Sequence, residues 1–92
     1  MDRENRFLKF RADSSFDATA LPGLPLVEIC GSKRVLIENH RGIVSYGCNE
    51  VRVNVKDGQI CVAGESLMIS KMSKEKLIIV GKIHCVKLQG RV

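Results

Sequence analysis

Tryptophan is absent from the chain, tyrosine occurs once and phenylalanine three times. So few rings speak against an RNA-binding sheet, which works by stacking bases on exposed aromatics. No apolar run approaches the roughly 18 residues that span a bilayer. The opening Met1-Asp2-Arg3-Glu4-Asn5-Arg6 is charged, but no apolar h-region follows it, so no signal peptide is read. A soluble, cytoplasmic protein is expected. The four cysteines, Cys30, Cys48, Cys61 and Cys85, contain no C-x-x-C pair, and His40 and His84 do not complete a zinc spacing. Free structural thiols are therefore expected, with no metal and no cofactor. There is no G-x-G-x-x-G and no Walker loop, which removes the common phosphate-binding signatures. At 92 residues the chain makes one domain with a modest core.

What is present is alternation. Val51, Val53 and Val55 precede Asp57-Gly58, and Ile60 and Val62 follow it. Asp-Gly suits the two positive φ angles of a type I′ turn, so a hairpin is predicted with Val55 opposite Ile60 and Val53 opposite Val62. The valines and Ile60 then share one face, while Arg52, Asn54, Lys56, Gln59 and Cys61 share the other.

The same logic extends both ways. Val27 and Ile29 lead through a loop at residues 30–34 to Val35 and Ile37. A reversal at His40 and Arg41 places Ile37 opposite Val44, and one at residues 47–50 places Tyr46 opposite Val51. Ala63-Gly64-Glu65-Ser66 is read as a turn setting Val62 opposite Leu67, and Gly81-Lys82 as a type II′ turn. Val27, Ile29, Val35, Ile37, Val44, Tyr46, Val51, Val53, Val55, Ile60, Val62, Leu67, Ile69, Leu77 and Ile79 then fit one face. The expected fold is all-β: an antiparallel meander of about seven to eight short strands, curled into a roll, barrel or sandwich. Gly47, Gly64 and Gly81 recur every 17 residues, which keeps a small β-solenoid as the alternative. Leu77-Ile78-Ile79-Val80 is apolar on both faces and should be the most buried strand.

Residues 1–20 read as an appendage, part helical or disordered, ahead of a single β domain over 21–92. They hold Phe7, Phe10 and Phe16 among basic residues, and Leu21-Pro22-Gly23-Leu24-Pro25 closes them with a stiff turn. The net charge of +5 falls on the β part, with eleven basic against six acidic residues from position 25 onward. A solvated sheet face with lysines guarding its edges is the plain account. A basic barrel that binds single-stranded nucleic acid is the alternative.

No catalytic constellation is present. Glu38, Asn39, His40, Arg41 and Gly42 gather an acid, an amide, an imidazole and a guanidinium in one polar turn. No nucleophile or metal partner stands beside them, so the turn reads as structural first and as a partner contact second. The protein is not expected to be an enzyme.

Pro25-Leu26-Val27-Glu28-Ile29-Cys30-Gly31, the segment Leu36-Ile37-Glu38-Asn39-His40-Arg41-Gly42-Ile43 and the run ending Ile79-Val80-Gly81-Lys82-Ile83 resemble the YabP/YqfC family, closest to its YqfC type. The resemblance covers roughly residues 20 to 88. Ile37 to Ile43 is its most specific part; the first twenty residues have no counterpart. It implies a small non-enzymatic protein of sporulation in endospore-forming bacteria, working in the mother cell and peripheral at the outer forespore membrane. The implied partner is a protein, in particular a sporulation membrane protein, and a homo-oligomer stays open.

Overall fold

The computed structural model describes residues 23–90. The appendage expected over residues 1–20 lies outside the described residues. Six strands follow one another: β1 (Leu26–Cys30), β2 (Arg34–Glu38), β3 (Ile43–Tyr46), β4 (Glu50–Val55), β5 (Gly58–Met72) and β6 (Lys76–Gly90). They form one sheet in the order β1-β2-β6-β5-β4-β3. Every pair is antiparallel, so the all-β reading holds and the solenoid alternative falls.

Six strands replace the expected seven or eight because two expected reversals are not turns. β5 and β6 are each 15 residues long and pair from Gly58↔Gly90 to Met72↔Leu77. The register shifts between Ala63 and Gly64 and between Glu65 and Met68, so the residues expected to turn the chain form bulges. Val62 faces Val86 rather than Leu67. Bulges bend and twist a ladder without ending it. Backbone approach at the bend is close enough that a Cβ on Gly64 would collide with the Lys82 carbonyl. Gly81 takes φ 141°, and its Cβ would stand 2.7 Å from the Ser66 carbonyl oxygen.

The order is also not a meander. β2 does not pair with β3; it lies between β1 and β6, with Val35 opposite Ile79 and Ile37 opposite Leu77. Residues 39–42 therefore cross from one end of the sheet to the other. The two hairpins β1–β2 and β3–β4 are used alike. β2 pairs with the first five residues of β6, Lys76 to Val80, and β4 pairs with the first six of β5, Gly58 to Ala63. The 17-residue glycine spacing falls at equivalent places in this arrangement: Gly64 donates to the Asn49 carbonyl and Gly81 to the Lys33 carbonyl.

Bent at the glycines, the sheet turns one apolar face onto itself. Val35, Ile37, Leu77 and Ile79 from one half join Val51, Val53, Ile60 and Val62 from the other in one core. All eight are almost wholly buried, at roughly 1.5–3 kcal/mol for each large side chain removed from water. Leu67 and Ile83 fill the corner. Leu77 and Ile79 are buried as expected, but Ile78 and Val80 on the outer face are only half-buried.

Three residues assigned to the core face are exposed: Ile29, Val44 and Tyr46. Ile29 and Tyr46 lie on the outermost strands, and a register shift between Ile43 and Ser45 displaces Val44. The Asp-Gly hairpin forms, but two residues out of the expected register. Val53 faces Ile60, Val51 faces Val62, and the loop is Lys56-Asp57. A shift of two keeps every side chain on its expected face. Only Asp57 has positive φ, 65°. Gly58 is needed because a Cβ would collide with the Gln89 carbonyl.

Candidate functional site

The segment Glu38 to Gly42 is the crossover itself, and its residues are held by both halves of the sheet. Asn39 takes φ 65° and Gly42 φ 103°, which lets the chain leave β2 and swing beside β4. The Asn39 amide donates to the Glu75 carbonyl at 2.7 Å, and its Nδ2 donates to the Leu24 carbonyl at 2.8 Å. The Arg41 amide donates to the Asn54 carbonyl at 2.7 Å, and the Asn54 amide returns a bond to the Gly42 carbonyl at 2.8 Å. Glu38 lies 3.9 Å from Lys76 on the neighbouring strand.

His40 is the buried member, 8% exposed. Its Nδ1 accepts from the Gly42 amide at 3.0 Å, and its Nε2 lies 3.0 Å from the Ser73 carbonyl oxygen. Acceptance at Nδ1 fixes the neutral Nε2–H tautomer, which then donates to Ser73. Both ring nitrogens are spent on backbone groups, one two residues along the chain and the other 33. Glu38 is half-buried, and Asn39 and Arg41 are exposed. The turn's amide, imidazole and backbone thus tie the crossover to β4, to the β5–β6 loop and to Leu24 just ahead of β1. Arg41 is the side chain it presents to solvent.

A second cluster lies on the outer face and is not visible from sequence spacing. Cys61 Sγ donates to Glu50 Oε2 at 3.0 Å, and Arg52 reaches the same oxygen at 3.6 Å. The hydrogen bond from Cys61, and next the charge of Arg52, hold the Glu50 carboxyl below its ordinary value. Burial, and next the bond to Glu50, push the Cys61 thiol above its own. A protonated, buried thiol is a poor nucleophile. The expected register had set Cys61 opposite Asn54; the observed one sets it opposite Arg52, which brings Glu50 within reach.

Cys30, Cys48 and Cys85 are free and exposed, and Cys61 is free and buried. Among the described residues no three His, Cys, Asp or Glu side chains are grouped to hold a metal ion. No helix among them is long and apolar enough to cross a membrane. Several large apolar side chains stand open to solvent. Leu88 is 71% exposed, and Met68, Met72, Ile29 and Tyr46 are each more than half exposed.

The family model described as the YabP family matches residues 25–91. The chain belongs to the YabP family. It is also similar to the uncharacterized protein YqfC of Bacillus subtilis (strain 168), with 34% identity over 64 residues, covering 70% of this chain and 69% of that one. No solved structure gives a significant match. The matched range contains all six strands and the whole crossover, and leaves out the first 24 residues.

Proposed function

We propose that this YabP-family chain is a non-enzymatic assembly module of endospore formation, acting in the mother cell and docking on a protein at the outer forespore membrane. Family membership supports the link to sporulation. One observation carries the non-catalytic part. His40, the buried imidazole of the crossover, has both nitrogens committed to backbone partners. A ring so engaged has no free atom for acid–base chemistry or a ligand. Among the described residues the sheet leaves strand edges open, and such edges serve protein–protein contact by strand addition.

The nucleic-acid alternative has less behind it. Tyr46 proves exposed, contrary to its expected place in the core, yet one ring provides no platform for successive bases.

The test is localisation in sporulating cells. Fluorescent fusions of the full chain, of the chain lacking residues 1–20 and of Arg41→Glu are compared. Forespore-side recruitment survives loss of residues 1–20 and fails in Arg41→Glu, because a single short segment with a few phenylalanines is a marginal anchor. Diffuse full-length protein, or recruitment that follows residues 1–20 alone, contradicts the reading.

A further inference from the structure

An antiparallel sheet satisfies its backbone groups on both sides only where it has two neighbours. β6 has β5 on one side along its whole length, but β2 covers its other side only from Lys76 to Val80. The β1–β2 turn then takes over briefly, the Gly81 amide bonding the Lys33 carbonyl and the Ile83 amide the Ser32 carbonyl. From Cys85 to Gly90 the outer side of β6 has no strand against it among the described residues.

The other open edges carry the usual safeguards. β3 is four residues long and broken by a register shift. β1 is five residues with Glu28 at its centre and Pro25 before it. The stretch from Cys85 to Gly90 pairs with Ala63 to Gly58 in unbroken register and contains neither proline nor an acidic residue. Its one guard is Lys87, which repels a strand of like charge but not one that answers it with a carboxylate.

Its side chains select what that strand would be. Val86 and Leu88 stand opposite Val62 and Ile60, so they point to the core face. Val86 is half-buried, but Leu88, beyond the rim of the core, is 71% exposed. Lys87 stands opposite Cys61 on the outer face, in the row that also holds Arg52. β6 carries Lys76, Lys82 and Lys87 and no carboxylate. Where the free edge begins, Ile29 of β1 and Ile83, Cys85 and Val86 of β6 line one open groove of about 210 Å³.

We propose that the edge Cys85–Gly90 is a strand-addition site for an extended segment of a partner protein, one with an acidic residue flanked by apolar ones. The apolar residues would cover Val86 and Leu88, the acidic one would face Lys87, and the groove beside Ile29 would take the segment's end. A second copy of this chain is the poorer occupant. Each copy carries +5, and a twofold centred on Lys87 sets lysine against lysine. The proposal rests on the assembly reading above and names the contact that reading requires.

The probe is a short, end-blocked peptide alternating valine with glutamate, compared with its lysine counterpart by titration into the full-length labelled protein. Amide shifts and exchange protection should appear along Cys85–Gly90, with the glutamate peptide preferred. One opposite-charge cross-strand pair makes that preference about two- to five-fold. Lys87→Glu should reverse it. Leu88→Lys, a change at an exposed edge position, should abolish binding without moving the melting midpoint, and Leu88→Ile should keep it. Shifts confined to β1 or β3, an unreversed preference in Lys87→Glu, or concentration-dependent dimerisation through these amides overturns the proposal. None of those outcomes touches the localisation test, which decides the assembly reading separately. Peptide binding at the edge with undisturbed localisation of Leu88→Lys in cells overturns the claim that the assembly uses this edge.

Discussion

His40 is worth considering as a buried polar cross-brace. Replacing it by alanine strips a partner from the Gly42 amide and from the Ser73 carbonyl together. Both bonds are only part-buried, so water can replace some of what is lost. At about 0.5–1.5 kcal/mol for a net hydrogen bond, His40→Ala should lower the denaturant midpoint by an amount of that order. An unshifted midpoint would mean that the crossover does not depend on the ring. Glu50 and Cys61 give the stability a dependence on pH at both ends. A carboxyl held below its unfolded value of 4.5 contributes stability that is complete above that value and lost as the pH falls through the folded one. A thiol held above its unfolded value of 9.0 contributes stability that is complete below that value and lost as the pH rises through the folded one. Glu50→Gln should therefore flatten the acid arm of a stability–pH curve. Cys61→Ser, which keeps a donor to Glu50 but does not titrate, should flatten only the alkaline arm. Wild-type slopes in both variants would contradict the pairing.

At the scale of elements, the bend in the long hairpin is the point of greatest sensitivity. Gly81→Ala places a methyl group 2.7 Å from the Ser66 oxygen at a φ of 141°. Strain of this kind costs about 1–3 kcal/mol, which a chemical-denaturation midpoint would register; a neutral result would move the bend elsewhere. Gly58→Val should cost a similar amount, though for a reason the turn pattern did not supply: the obstacle is the Gln89 carbonyl across the ladder, not the sign of φ. These two glycines show what was legible in the sequence. Period-two alternation gave the strands and faces of Val35, Ile37, Val51, Val53, Ile60 and Val62, because burial on one side enforces it locally. The hairpins β1–β2, β3–β4 and β4–β5 were legible because their loops are short. Ala63-Gly64-Glu65-Ser66 and Gly81-Lys82 read as turns in the sequence because a bulge and a turn draw on the same residues, and only the partner strand distinguishes them. Asn39-His40-Arg41-Gly42 has turn chemistry too, yet β2 goes to β6, a choice fixed by residues some forty positions away. The crossover residues were picked out as a group, but their partners Ser73, Asn54 and Leu24 have no local signal at all.

For the whole molecule, the basic excess of the described residues is spread over the loops and the outer face. Lys33 and Lys82 lie near the bend, while Lys71, Lys74 and Lys76 cluster at the β5–β6 loop. Little binding to a single-stranded oligonucleotide at physiological salt is expected. Tight binding that falls steeply with added salt, as counterion release requires, would revive the nucleic-acid alternative. In the core, Val53→Asp places an unpaired carboxylate among fully buried residues and should leave the chain unfolded or molten by circular dichroism. A native melting curve in that variant would contradict the core as described.

The two 15-residue strands belong to both halves of the bent sheet, so neither half can let go alone. Losing β3 and β4 uncovers Gly58 to Ala63 of β5, whose other end is the partner of the strand that holds β2. Melting should therefore occur as one calorimetric event, with van't Hoff and measured enthalpies equal. Exchange of the slowest amides in β2 and in β4 should report the same opening free energy. Among residues 23–90 no strand pair stands apart from the rest. They fold, or fail to fold, as one cooperative unit.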